Sequence, residues 1–198
     1  MLVKFADINR TSKAITIRNL PTDKVSDGME LSMNKRKVKM TIRLDSMMEY
    51  PIVESDVRRL RRIEVEDVEN IAHTMVDAYT ETIDYEGESA EDAAGEVQNV
   101  LQDGYGRYMQ EASFLIEGDA SVASAIMINL FQGSPMVTYV FTAKKYSRQG
   151  HAKSLLLKSI AVLKDNGYKE LSLYVTEGND SAIKLYTKLG FRVVDEVQ

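Results

Sequence analysis

From residue 136 to the C-terminus, strand-like and helix-like periodicity alternate, and this alternation limits the fold more than any other feature of the chain. Met136 to Thr142 is rich in β-branched and aromatic residues, and a helical stripe of Leu155, Leu156, Ile160 and Leu163 then ends at Asn166-Gly167. Leu171 to Val175 reads as a strand, Ser181 to Leu189 as a helix and Phe191 to Val194 as a closing strand. A strand that reaches its neighbour through a helix makes a crossover, which sets strands parallel and covers the sheet on its faces. The preceding stretch differs. Phe114 to Ile116 and Ala123 to Phe131 are separated only by a turn at Gly118-Asp119, and Gln132 to Pro135 turns again into Met136.

Upstream of these, Arg58 to Ile63 is strand-like, and Val65, Val68, Ile71, Ala72, Met75, Val76 and Tyr79 keep helical spacing. Ser89-Ala-Glu-Asp92 has the spacing of a capping box and opens a second helix with Ala93, Val97, Val100 and Leu101 on its apolar face. From Val57 the order is therefore βααββ followed by βαβαβ. It predicts an α/β domain, a mixed central sheet flanked by helices, over residues 53–198. Residues 1–52 read instead as a small antiparallel β extension. Ala14 to Ile17 alternates, Val38, Met40, Ile42 and Leu44 recur at period two, and Asn19 to Pro21 and Ser26 to Gly28 supply turns. Pro51 is a plausible boundary because proline interrupts strand pairing and helix alike. The basic run Lys35-Arg36-Lys37 is either a solvated loop or a binding patch.

Composition narrows the chemistry. The 198 residues include no cysteine, which removes disulfides, thiolate metal sites and a cysteine nucleophile. With two histidines, His73 and His151, a histidine-rich metal centre is excluded as well, and no metal is expected. No run approaches the roughly 18 apolar residues that a spanning helix needs, and the N-terminus lacks the basic start and apolar core of a signal peptide, so a cytoplasmic protein without a membrane partner is the expectation. The net charge of -5 is unevenly spread: residues 65–120 hold 15 acids and a single base, Arg107. Phosphate is repelled by such a block, so nucleic acid is not an expected partner.

Two stretches carry the functional signal. In the first, a strand runs into Lys144-Lys-Tyr-Ser147-Arg-Gln-Gly150-His-Ala152-Lys153 and then into a helix. Such a junction offers unpaired backbone N–H groups and the positive helix end to an anion, and Gly150 lets the backbone approach closely. Many βα turns contain a glycine for purely structural reasons, so this feature alone leaves both readings open. The second stretch is Asn179-Asp-Ser-Ala182-Ile-Lys-Leu185-Tyr186-Thr-Lys-Leu189-Gly190-Phe191, directly after a strand. Its N-x-x-A-x-x-L-Y-x-x-x-G-F spacing resembles the last motif of the GNAT (GCN5-related N-acetyltransferase) superfamily. Ser147 to Ala152 then resembles that superfamily's acyl-CoA loop, and the resemblance extends from about Val57 to the C-terminus.

The resemblance implies that acetyl-CoA is the acyl donor and a primary amine the acceptor. It implies that the pantetheine arm pairs with Val140, Phe141 and Thr142, and that the pyrophosphate rests on Ser147, Arg148, Gln149, Gly150, His151, Ala152 and Lys153. Asn179 would contact the cofactor or the strand edge, and Tyr186 would lie near the sulfur and protonate the departing thiolate. By spacing alone Tyr186 could equally be core, and Asn179 an ordinary helix cap. Glu177, after a strand, and Tyr139 are candidates for the general base. The segment between the first two helices, from Tyr79 through Glu81, Asp84, Tyr85 and Glu86 to Glu88, with Glu91 and Asp92 beyond, would line the acceptor side, where carboxylates and aromatic faces attract a cation. In the bland reading these acids only solvate a loop. A non-catalytic acyl-CoA sensor or interaction module is the alternative function, and a homodimer paired through an exposed strand edge is one role open to residues 1–52.

Overall fold

The structure is a computed structural model and describes Val3–Lys4 and residues 36–45 and 59–194. The expected strand at Ala14 to Ile17, the turns beside it, Lys35 and the boundary at Pro51 lie outside the described residues. The elements run β1 Val3–Lys4, β2 Lys37–Arg43, β3 Leu60–Arg62, α1 Val68–Tyr79, α2 Ala90–Leu101, β4 Arg107–Tyr108, β5 Phe114–Glu117 and β6 Val122–Phe131. They continue with β7 Ser134–Thr142, α3 His151–Asp165, β8 Glu170–Thr176, α4 Asp180–Leu189 and β9 Arg192–Val193. One mixed sheet has the order β3-β5-β6-β7-β8-β2-β9, with β1 added to β7 and β4 to β6. This is the α/β architecture with a mixed, helix-flanked sheet that the alternating pattern predicts.

Local chemistry sets the helix ends. Ser89 Oγ accepts the N–H of Asp92 at 3.1 Å, and Asp92 accepts the N–H of Ser89 at 2.9 Å, so the capping box forms reciprocally. α3 starts at Gly150 in the left-handed region (φ 91°), and α4 stops at Gly190 (φ 99°), a conformation that disfavours any side chain with a Cβ. Buried side chains form two clusters across the sheet. One joins Met75, Tyr79, Val97 and Val100 of α1 and α2 to Met136, Tyr139 and Phe141. The other joins Leu155, Ile160, Ala182 and Tyr186 of α3 and α4 to Val137, Val140 and Leu173.

The segment 37–43 is antiparallel, as the period-two pattern requires, and its partners are in the central sheet. β2 pairs along its whole length with β8, from Lys37 opposite Thr176 to Arg43 opposite Glu170, and also with β9. Met40 and Ile42 are buried under α4's side of the sheet while Thr41, on the other face, shares a 2.7 Å hydrogen bond with Ser172. The alternation specified a one-sided strand, and the central sheet supplies the apolar face it covers.

Candidate active site

The site begins with a defect in β7. Met127 faces Tyr139 across the ladder, yet Ile128 faces Val137, so Thr138 is one residue too many on β7. Its hydroxyl donates to Asn129 Oδ1 at 2.5 Å, and Asn129 Nδ2 donates to the carbonyls of Gly106 (2.8 Å) and Val100 (3.1 Å). A fully satisfied buried network thus holds the bulge in place. The parallel pairing of β7 with β8 covers only Met136–Ser172 and Val137–Leu173 and stops at the bulge. Beyond it the two strands splay, and β1 pairs antiparallel with β7, Val3 opposite Val140 and Lys4 opposite Tyr139.

At the C-terminal end of β7 the chain enters the loop of Lys144 to Gly150. Tyr146 is buried, and its hydroxyl accepts the N–H of Asp119 at 2.9 Å. Lys144 pairs with Glu81 at 3.1 Å and Lys145 with Asp119 at 3.5 Å. Ser147, Arg148, Gln149 and Lys153 are exposed, and Ala152 is buried at the foot of α3. His151, in the first helical position, meets the Tyr146 ring edge-on at 6.2 Å. Arg148 and Gly150 both have positive φ (62° and 91°), and no side chain caps the helix. The first N–H groups of α3 therefore face outward from a turn whose backbone is bent to present them. Such a cradle takes a phosphate oxygen without help from side chains.

Tyr186 stands on the face of α4 that packs on the sheet, with its ring edge-on to Phe191 at 5.7 Å. It is wholly buried, and its hydroxyl has no hydrogen-bond partner among the described residues. Burial, reinforced by the nearby Asp84 carboxylate, pushes the phenol far above its ordinary range, so it stays protonated. Asn179 caps α4, its Oδ1 accepting the N–H of Ala182 at 3.3 Å, while its Nδ2 donates to Asp84 at 3.1 Å. Asp84 also accepts from Thr176 Oγ1 at 2.5 Å, so this buried carboxylate pins the loop between α1 and α2 to the ends of β8 and α4.

On the other face of the sheet a cavity of about 640 Å³ opens between α1, α2 and their connecting loop. Tyr85, Glu86 and Glu88 line it from the loop, Glu91, Asp92, Glu96 and Asn99 from α2, Met75 and Tyr79 from α1, and Tyr139 from the sheet. Tyr139 reaches this side because of the bulge. At strict period two it would share the face of Val137, whereas Val137 packs with α3 and α4 and Tyr139 with α1 and α2.

The expected site residues divide accordingly. Val140, Phe141 and Thr142 lie on the splayed strand, and the residues from Ser147 to Lys153 form the loop and first turn of α3. Tyr85 and Glu86 line the cavity; Asp84 faces Thr176 and Asn179 instead, and Glu81 faces Lys144. Glu177 is exposed beside β2, 3.5 Å from Arg36, and does not line the cavity. Glu88, Glu91 and Asp92, which continue the acidic segment, line the cavity as well, whereas Glu96 and Asn99 are cavity residues that the sequence analysis does not single out. Their signal was present: Asp92, Gly95, Glu96 and Asn99 follow i, i+3, i+4, i+7, a polar stripe on the helix that carries the apolar one.

Comparison with known proteins agrees with this geometry. Among solved structures, a GCN5-related N-acetyltransferase from Sphaerobacter thermophilus superposes with a TM-score of 0.60 at 19% identity, covering 80% of this chain and 48% of that one. The present chain thus spans about half that protein's length. The PaiA N-acetyltransferase from Thermoplasma acidophilum, in complex with coenzyme A, gives 0.56 at 20% identity over 69% of this chain and 90% of its own. The ribosomal-protein-S18-alanine N-acetyltransferase from Escherichia coli gives 0.55 at 22% identity over 67% and 76%. No curated protein matches the sequence. At these identities the likeness establishes the fold, and membership comes from the family model for the acetyltransferase (GNAT) family, which matches residues 72–191. Those residues are more than half of the chain and contain the bulged strand, the loop before α3 and the α4 motif, so this protein belongs to the acetyltransferase (GNAT) family.

Proposed function

We propose that the chain is an acetyl-CoA-dependent N-acetyltransferase whose acceptor is a primary amine on a positively charged small molecule or peptide. The family draws its acyl group from acetyl-CoA, which supplies an electrophilic thioester carbonyl when bound. The chain's own groups fit that donor. The outward N–H groups from Arg148 to Lys153 would hold the pyrophosphate, and the β7 edge from Val140 to Thr142 would pair with the pantetheine arm. A β7 backbone N–H would then polarise the carbonyl oxygen. Tyr186, protonated and without a hydrogen-bond partner among the described residues, would hold its proton for the sulfur. β1 uses the same β7 edge, so the donor displaces β1 as it binds.

The acceptor half of the reading rests on one observation, the cavity beside Tyr139. Its carboxylates, Glu86, Glu88, Glu91, Asp92 and Glu96, supply a field that draws in a cation, and the aromatic residues Tyr79, Tyr85 and Tyr139 line the same cavity. A thiol-reactive dye tests the proposal directly, because the chain has no cysteine and only released CoA reacts. Acetyl-CoA is supplied with spermidine, an amino sugar or a lysine-containing peptide. Turnover is expected with at least one of these. The triple variant Glu86→Gln, Glu88→Gln, Glu91→Gln should raise the acceptor KM tenfold or more while leaving the acetyl-CoA Kd unchanged. An unchanged KM would remove the cavity from the mechanism.

A further inference from the structure

Among the described residues lining the acceptor cavity, Tyr139 alone belongs to the sheet, and it is adjacent in sequence to Val140 on the edge proposed for the donor. Its hydroxyl donates to Glu96 Oε2 at 3.2 Å. The same oxygen accepts from Tyr105 at 2.6 Å. Tyr105 and Tyr139 are both buried, one in the connection after α2 and the other on β7, so Glu96 is held between the helix layer and the sheet. Two phenols on one carboxylate oxygen fix the direction in which it points.

An amine that arrives as an ammonium ion must lose a proton before it can attack a carbonyl carbon. Resting on the acceptor site proposed above, we infer that Glu96 is the proton acceptor for this step, reached through the Tyr139 hydroxyl, with Tyr105 as the positioning residue for the carboxylate. As the ammonium N–H proton passes to Tyr139 Oη, the Tyr139 proton passes to Glu96 Oε2, and the phenol ends neutral. The freed nitrogen lone pair forms the N–C bond and the C–S bond breaks. The second nitrogen proton ends on the CoA sulfur, and Glu96 returns its proton to water in the open cavity. The ionisable groups that line the cavity with Glu96 include Glu91 and Asp92 on α2, Glu86 and Glu88 in the loop, and Tyr79, Tyr85 and Tyr139; Tyr105 and Tyr139 bond it directly. Among the described residues, no cationic side chain lines the cavity.

The test measures acetyl transfer to spermidine, an amino sugar and a lysine-containing peptide, with kcat and KM followed from neutral pH to the amine's own pKa. Glu96→Gln keeps the shape and loses the basic oxygen. Its kcat should fall by roughly 10²- to 10⁴-fold at neutral pH, with the acetyl-CoA KM unchanged. The deficit should shrink as pH rises and free amine replaces ammonium. A merely structural role predicts a deficit that is constant with pH. Tyr139→Phe, which leaves the Tyr105–Glu96 bond in place, should show the same shrinking deficit and serves if Glu96→Gln misfolds. Wild-type turnover with both variants within threefold of it, or with a pH-independent loss, overturns the assignment of Glu96 alone. A wild type that transfers acetyl to none of the three amines overturns the acetyltransferase reading and this assignment with it.

Discussion

Replacing Tyr186 with phenylalanine separates a catalytic role from a packing role, because the two predict opposite changes. The ring lies wholly inside the second core cluster, edge-on to Phe191, and only the hydroxyl is chemically unsettled. A buried hydroxyl without a partner costs about 1–3 kcal/mol in lost hydration. Tyr186→Phe keeps the ring and removes that penalty, so the free protein should become more stable by about 1 kcal/mol or slightly more. For a chain of this size that amounts to a rise of roughly 2–4 °C in Tm. If the same hydroxyl delivers a proton to the departing sulfur, kcat should fall by roughly 10²- to 10⁴-fold, or about 3–5 kcal/mol in the barrier. Thermal melts of the ligand-free variant and steady-state CoA release measure the two effects independently. A variant that loses 2 kcal/mol or more of stability would show that the hydroxyl has a partner in the free protein. A variant of unchanged kcat would return Tyr186 to the core.

Three further outcomes follow from the geometry. Asp67 is buried, chelated by Arg61 through two 2.7 Å bonds and by the Glu64 N–H at 2.9 Å, and chiefly the guanidinium holds its carboxyl below the usual range. A depressed folded-state pKa stabilises above the unfolded value and fades as pH falls through the folded one. Asp67→Asn should therefore cost about 1–2 kcal/mol at neutral pH, and urea midpoints of variant and wild type should converge as pH falls through the depressed folded-state pKa, beneath the ordinary carboxylate range; a constant gap would refute the ion pair as the cause. Gly150→Ala places a Cβ at φ 91° where α3 begins, so the variant should lose about 1–2 kcal/mol and bind acetyl-CoA at least tenfold more weakly by calorimetry, whereas unchanged affinity would mean that the cradle does not touch the donor. Deleting the first four residues removes β1 from the edge at Val140 and Tyr139, and acetyl-CoA should then bind roughly threefold to tenfold more tightly; equal affinity would show that strand and donor do not share that edge.

Local chemistry written in the sequence accounts for the element order, the capping box at Ser89, the glycines that open α3 at Gly150 and close α4 at Gly190, and the motif that carries Asn179 and Tyr186. Each depends on neighbours within a few residues, so propensity and spacing are sufficient to read it. The period-two stripe of β2 was equally legible, but its partners were not. A one-sided strand needs an apolar face to cover, and nothing within its own residues says whether a hairpin or the space between β8 and β9 provides it. The candidate site depends even more on distant parts of the chain. Thr138 bulges because Asn129 on the adjacent strand satisfies its hydroxyl, and that single extra residue turns Tyr139 toward α1 and α2 and ends the pairing of β7 with β8. Asp84 and Glu86 stand two residues apart in the same acidic segment, yet Thr176 and Asn179 draw Asp84 to the end of β8 and the start of α4 while Glu86 lines the cavity. Periodicity could assign residues to faces of ideal elements. Registers, bulges and hydrogen bonds between residues far apart in sequence then set which of those faces meet around Tyr139.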